Sequence, residues 1–81
     1  MEVGIKVPRI EGMRAEAATV VRWLKKEGDH VGKDEPVVLL EFPKVEVEVP
    51  SPRSGTLTKV LVKEGRMVRV DETLGLLATL S

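Results

Sequence analysis

The chain has 81 residues, 42% of them hydrophobic, and its thirteen basic side chains balance thirteen acidic ones. That length supplies one thin core, burying about 60% of the surface the unfolded chain exposes, and zero net charge argues against a dedicated nucleic-acid or membrane-surface binder. With no cysteine, one histidine (His30) and two aromatic residues (Trp23, Phe42), there is no disulfide framework, no thiolate or histidine metal site and no platform for stacking bases.

Residues 3–8 alternate in polarity and end at Pro8, which predicts a first strand. Gly4 within it marks a bulge or an edge. Residues 13–18 permit a helix but are too few to form a structural pillar. Residues 19–25 are rich in β-branched and aromatic side chains, a second strand. Trp23 and Leu24 are both apolar there, so strict alternation fails and a bulge is expected. The stretch 27–29 supplies Gly28, which can take a positive φ in a tight turn. Residues 37–42 form a short apolar run of strand length. Residues 45–49 alternate cleanly, one face valine and one face glutamate. A second turn at Gly65 lies between strands predicted over 57–63 and 74–80. The longest purely apolar run, 37–40, is far too short to cross a membrane. The N-terminal stretch lacks a basic-then-apolar secretion signature, so the cytoplasm is the expected compartment. Many short strands with closely spaced turns point to an all-β sandwich or barrel forming one domain over 1–81.

The chain also repeats itself. Shifted by 37 residues, 18–41 falls on 55–78 without a gap, and ten of the 24 pairs are identical, among them Gly28/Gly65, Asp34/Asp71 and Leu40/Leu77. A shorter echo places residues 5–8 on 47–50, an offset of 42. The first half then carries about five extra residues, within 9–17. Two copies are too few for an open solenoid. They predict a closed body of two similar halves about a pseudo-twofold axis, with the chain termini together at the end opposite Lys44.

Asn and Gln are absent, and Glu outnumbers Asp ten to three. Loss of thermolabile amides with Glu enrichment is expected of a heat-adapted source.

Between the copies lies the segment 41–46. If Val45, Val47 and Val49 face inward, so do Phe42, Leu40 and Val38, and the two strands agree on which face is buried. A two-residue loop, Pro43-Lys44, then pairs Phe42 with Val45. Proline suits the first central position of a type I turn. Lys44 sits at the tip in water. A tip lysine is ordinarily a solubilising residue. It has neither the burial nor the neighbouring cation that would make it a nucleophile in its own right. Any chemistry at Lys44 is done to it by a partner enzyme: acylation of an exposed amine.

These residues resemble the lipoyl domain, the carrier module of the dihydrolipoamide acyltransferase component of 2-oxoacid dehydrogenase complexes. The resemblance covers nearly the whole chain. The family's glycines, sixteen before and eleven after its modified lysine, fall on Gly28 and Gly55. Its acid three residues before the lysine falls on Glu41, and residues 49–55 match the segment after its hairpin. Pro43 stands where the family usually has Asp, and Val45 where it has Ala. Ile10-Glu11-Gly12 replaces the family's Gly-Glu-Gly loop, which lies beside the hairpin and helps partners discriminate.

The resemblance implies a flattened barrel-sandwich hybrid of two four-stranded antiparallel sheets. It implies lipoate on Lys44, with Glu41, Pro43, Val45, Glu46, Gly28, Gly55, Glu11 and Gly12 read by the modifying enzyme and partners. Those partners are a lipoate-attaching enzyme, a thiamine-dependent 2-oxoacid decarboxylase, the acyltransferase core and dihydrolipoamide dehydrogenase. The domain would be a non-catalytic, monomeric carrier. Two alternatives stay open: a biotinyl domain, which usually flanks its lysine with methionines, and an unmodified barrel-sandwich domain that serves as an interaction module.

Elsewhere the plain readings prevail. His30 matches Met67 in the second copy, so it fills space or lies on the surface. Trp23 matches Val60 and packs. Glu46 and Glu48 form a solvated acidic face, suited to docking basic patches. Asp34 and Asp71 are turn residues whose carboxylates bond backbone amides. The expected core is Val20, Leu39, Leu40, Val47, Leu57, Leu61 and Leu76.

Overall fold

A computed structural model describes residues 1–80. Eight strands follow one another: β1 (Glu2–Lys6), β2 (Ala17–Trp23), β3 (His30–Val31), β4 (Pro36–Phe42), β5 (Val45–Pro50), β6 (Gly55–Val60), β7 (Met67–Arg69) and β8 (Thr73–Ala78). They form two four-stranded antiparallel sheets, ordered β1-β8-β6-β3 and β5-β4-β2-β7. The sheets stay unclosed and face each other as a flattened sandwich. Residues 13–18 form no helix; 13–16 are irregular, and Ala17 and Ala18 begin β2.

The sheet orders explain the repeat. Shifting by 37 carries β2 onto β6, β3 onto β7 and β4 onto β8. In each sheet the outermost short strand belongs to the other copy: β7 completes the sheet of β2 and β4, and β3 completes that of β6 and β8. The exchange extends to single bonds. The Gly28 amide donates to the Leu57 carbonyl, and the Gly65 amide donates to that of Val20, each at 2.7 Å. A pseudo-twofold axis therefore relates the halves.

Ladder register revises the shorter echo. Leu40 pairs with Val47 and Val38 with Val49, while their equivalents Leu77 and Gly75 pair with Val3 and Ile5. Residues 3–8 thus correspond to 47–52, an offset of 44 rather than 42. The first half is longer by seven residues (44 − 37), not five. The matched IKVP and VEVP strings were a two-residue slip along strands whose side-chain period is itself two, so face alternation could not expose the error.

The core is the inner face of both sheets: Ile5, Val7, Val20, Val31, Val37, Val38, Leu40, Phe42, Leu57, Val68, Leu74 and Leu77 are almost wholly buried. Of the expected core, Val20, Leu40 and Leu57 are fully buried and Val47 packs against them half-buried. Leu61 is not core; it is 51% exposed. Leu39 and Leu76 are only half-buried, on the outer faces. Leu39 and Leu76 point outward by simple alternation beside buried Leu40 and Leu77; for Leu61 the cause is a bulge. Register slips between Val20 and Arg22 in β2, as expected for that strand, and between Leu57 and Lys59 in β6. One extra residue reverses the parity beyond it. Val60 and Trp23 then turn inward and Leu61 turns out.

Trp23 is half-buried, and its indole N–H donates to the Val62 carbonyl at 2.8 Å. It lies over Gly75, where an added Cβ would stand 3.0 Å from the ring. The turn aspartates take left-handed backbone (φ 70° at Asp34, 73° at Asp71). Their carboxylates do not hold the amides. That role falls to their neighbours: Glu35 accepts from Gly32 N–H at 2.8 Å and Glu72 from Arg69 N–H at 2.9 Å. A turn residue in the left-handed region aims its own side chain outward, leaving the longer glutamate to reach back. The Met1 amine donates to the Thr79 carbonyl at 2.9 Å, so both ends of the described chain lie side by side.

Candidate functional site: the β4–β5 hairpin

Phe42, 2% exposed, anchors the base of the hairpin and pairs with Val45 across the two-residue loop. Beyond it everything is in water: Pro43, Lys44 and Val45 are all exposed, and Val45, on the inward face but past the end of the core, is 40% exposed. The turn is not type I. Lys44 has φ 71°. Proline's ring holds Pro43 near −65°. A fixed negative φ followed by a positive one is the type II pattern, whose second central position favours Gly or Asn.

A lysine is out of place there. Left-handed backbone costs an ordinary L-residue roughly 1–2 kcal/mol. Among the described residues the other non-glycine positive-φ positions are Asp34 and Asp71, a side-chain type that tolerates that region. Lys44 alone combines such backbone with a long side chain. Backbone strain retained at one exposed residue points to a use for that side chain. No hydrogen bond or ion pair among the described residues ties its ammonium. Acylating this amine therefore orphans no counter-ion and breaks no packing. A group carried in amide linkage fits Lys44.

The surroundings are asymmetric. Glu41 and Glu46 are direct ladder partners on the outer face, opposite to buried Phe42 and Leu40, and Glu48 extends the acidic row. Across the outer face Glu41 pairs with Thr19 and Thr19 with Met67, and Ala17, Ala18, Thr19, Glu41, Phe42, Pro43, Lys44 and Met67 line a depression of about 300 Å³. Met67, from β7, is 73% exposed.

The remaining sequence-chosen residues are not among those lining the depression. Glu11 and Gly12 form a turn closed by Met13 N–H to Ile10 C=O at 3.1 Å, with Gly12 at φ 81°. They lie in the segment the second copy lacks, and they do not line the depression. Gly28, at φ 95°, ties the copies together through Leu57. Gly55 pairs with Val31, and a Cβ there would collide with the Ala78 carbonyl. Both glycines serve the architecture. Ala17, Ala18 and Met67 were not singled out from the sequence as site residues; the pairing of β2 with β4 brings the alanines to the hairpin, and that of β7 with β2 brings Met67. The displaced titrations also lie off the tip. Lys25 donates to Glu35 at 2.6 Å, which holds the Glu35 carboxyl below and the Lys25 ammonium above their ordinary ranges.

Comparison with known proteins agrees with this geometry. The pattern of the family described as "Biotin-requiring enzyme", which covers biotin and lipoyl attachment, matches residues 3–77. The chain is 48% identical over 75 residues to the dihydrolipoyllysine-residue succinyltransferase component of the 2-oxoglutarate dehydrogenase complex of Bartonella vinsonii, covering 93% of this chain and 18% of that protein. It is 38% identical over 77 residues to the same component from Cupriavidus necator, covering 95% and 18%. It thus spans about a fifth of the length of these relatives. The solution structure of the lipoyl domain of the Azotobacter vinelandii 2-oxoglutarate dehydrogenase complex superposes with a TM-score of 0.71 at 32% identity, covering 93% of this chain and 96% of that one. A region of a long-chain acyl-CoA carboxylase shares the fold, with a TM-score of 0.80 at 22% identity over 99% of this chain and 7% of that one. On these grounds the chain belongs to the biotin and lipoyl attachment family, as a domain of the lipoyl type.

Proposed function

We propose that Lys44 carries lipoate in amide linkage, and that the domain presents it within a 2-oxoacid dehydrogenase complex, the 2-oxoglutarate complex named for its relatives. The observation that carries the proposal is Lys44 itself: exposed, unpaired among the described residues and held at φ 71° on a two-residue tip. When attached, the dithiolane supplies reversible acylation and two-electron redox chemistry. The chain's own residues do the rest. Pro43 fixes the turn, Phe42 roots it in the core, and Glu41 and Glu46 give the outer face an acidic character that complements basic patches on partners. The domain contributes no catalytic group. Its partners are the attaching enzyme, the thiamine-dependent decarboxylase, the acyltransferase core and dihydrolipoamide dehydrogenase. Lipoate is favoured over biotin because Pro43 and Val45, not methionines, flank the lysine.

Reductive acylation tests the substrate class. Lipoylated domain is incubated with the decarboxylase of the 2-oxoglutarate complex and 2-oxoglutarate, or with that of the pyruvate complex and pyruvate. A succinyl mass increment in the first and none in the second is expected. An acetyl increment alone would assign the domain to the pyruvate complex instead.

A further inference from the structure

Among the described residues, each sheet ends in one long strand with no neighbour beyond it: β1 in one, β5 in the other. Such an edge is a row of unpaired N–H and C=O groups, which proteins blunt with like charge, proline or a bulge. The two edges are equivalent, residues 2–6 falling on 46–50 at the offset of 44. Both ladders slip at the same place, between Ile5 and Lys6 and between Val49 and Pro50, so the bulge does not tell the edges apart.

Their side chains do. On β5 the three positions hold Glu46, Glu48 and Pro50. A second β5 laid antiparallel about Glu48 sets that carboxylate against its own copy and meets a proline with no N–H to donate. On β1 the equivalents are Glu2, Gly4 and Lys6. A second β1 laid antiparallel about Gly4 sets Glu2 against Lys6 and Lys6 against Glu2. This edge is its own complement, as a twofold contact requires.

The backbone is turned the right way. Met1 and Thr79 exchange both backbone bonds, at 2.9 and 2.7 Å, and Val7 bonds Glu72 and Asp71 at 2.9 and 3.0 Å. Bonded and unbonded positions alternate along an antiparallel strand. Val3 and Ile5 therefore bond inward to β8, while Glu2, Gly4 and Lys6 turn their N–H and C=O groups to the free edge. Glu2 and Lys6 are exposed, and neither has an ion partner among the described residues. Gly4 brings no charge to the axis. Its missing Cβ has a reason within the monomer, since Thr73 Cγ2 would stand 3.2 Å from it.

We propose that β1 is a self-association edge. Two copies of this chain pair through it as antiparallel strands about a twofold axis at Gly4, joining two four-stranded sheets into one. Glu2 and Lys6 of each copy then lie opposite Lys6 and Glu2 of the other. This departs from the monomer that the family resemblance implies, and it does not depend on the lipoyl reading of Lys44. The β4–β5 hairpin belongs to the other sheet, and antiparallel pairing sends the two hairpins to opposite ends, so both Lys44 amines stay open to partners. One short strand and exposed ion pairs make a small contact, so the dimer is weak and sensitive to salt.

Sedimentation equilibrium from micromolar to millimolar concentration tests it. The parent is expected to be a reversible monomer–dimer mixture whose dimer fraction falls as salt is added. Lys6→Glu sets Glu against Glu, and Glu2→Lys sets Lys against Lys. Each is expected to weaken association about ten-fold or more and to leave the melting curve unchanged. Mixed one to one, the two variants are expected to form a heterodimer at least as tight as the parent dimer, because every opposed pair is again of opposite charge. A parent that stays monomeric at millimolar concentration overturns the proposal. So does a dimer that ignores both substitutions, or a mixture that fails to recover pairing, since the contact then lies elsewhere or in another register. Lipoate uptake by Lys44 is scored separately by mass, and failure of the β1 pairing leaves that reading untouched.

Discussion

Glu64 Oε2 accepts a hydrogen bond from the Trp23 amide at 3.0 Å. Its symmetry mate, Glu27 Oε2, accepts from the Val60 amide at 2.8 Å. Trp23 and Val60 end equivalent strands, so each copy satisfies the last ladder amide of the other. Glu27→Ala and Glu64→Ala should each cost about 1 kcal/mol, the usual worth of one such bond. The losses should add in the double variant, since the two sites share no partner. Urea titration reads this, and two neutral variants would show that water replaces the carboxylates without loss.

The core predictions separate Leu57 from Leu61. Leu57→Ala should cost roughly 2–5 kcal/mol, as for other fully buried leucines. Leu61→Ala should change stability by less than about 0.5 kcal/mol, in keeping with its exposure. Comparable urea midpoints for the two variants would contradict the bulge between Leu57 and Lys59.

At the hairpin, stability and use should oppose one another. Lys44→Gly relieves left-handed strain and should leave the domain as stable as the parent or more so, by up to about 1 kcal/mol. It also removes the amine. A clear loss of stability in thermal melts would mean that Lys44 supports the turn and is not strained by it.

The Lys25–Glu35 pair gives a pH signature. Glu35 is ionised to lower pH in the folded chain than in the unfolded one, chiefly through the Lys25 hydrogen bond and then the Gly32 amide. Its contribution is present above the ordinary carboxylate range and is lost as pH falls through the lowered folded value. Lys25, shifted upward, contributes below its ordinary range and loses that contribution as pH rises through the raised value. The stability gap between parent and Glu35→Gln should be widest near neutrality, close on acidification and shrink in high salt, because the pair is solvent-accessible. Glu72 occupies the equivalent turn, with Val62 where Lys25 would be. Glu72→Gln should lack the salt dependence. A Glu35→Gln gap that persists unchanged into acid would remove the ion pair from the account.

Much of the architecture could be read from the chain because both of its signals are periodic. The 37-residue repeat announced paired halves, and inward valines on both sides of Pro43-Lys44 fixed the hairpin register that the structure shows. What escaped were departures from periodicity. The bulge after Leu57 reversed parity and misplaced Leu61. The two-residue slip of the N-terminal echo kept parity and so left no trace. The left-handed backbone at Lys44 follows from the pairing geometry of the finished hairpin, whereas proline by itself suits both type I and type II turns. Met67 drew attention only as a match for His30. Its place beside Lys44 depends on β7 crossing into the other copy's sheet, a contact between residues far apart in sequence.

The central claim is that Lys44 is the attachment residue, and intact mass after incubation with a lipoate-attaching enzyme, lipoate and ATP tests it most directly. The parent should gain one lipoyl group, and peptide mapping should place it on Lys44, leaving Lys6, Lys25, Lys26, Lys33, Lys59 and Lys63 unmodified. Lys44→Arg should fold with an unchanged melting curve and gain nothing. A lipoyl increment on folded Lys44→Arg, or a folded parent that takes up no lipoate, would contradict the account.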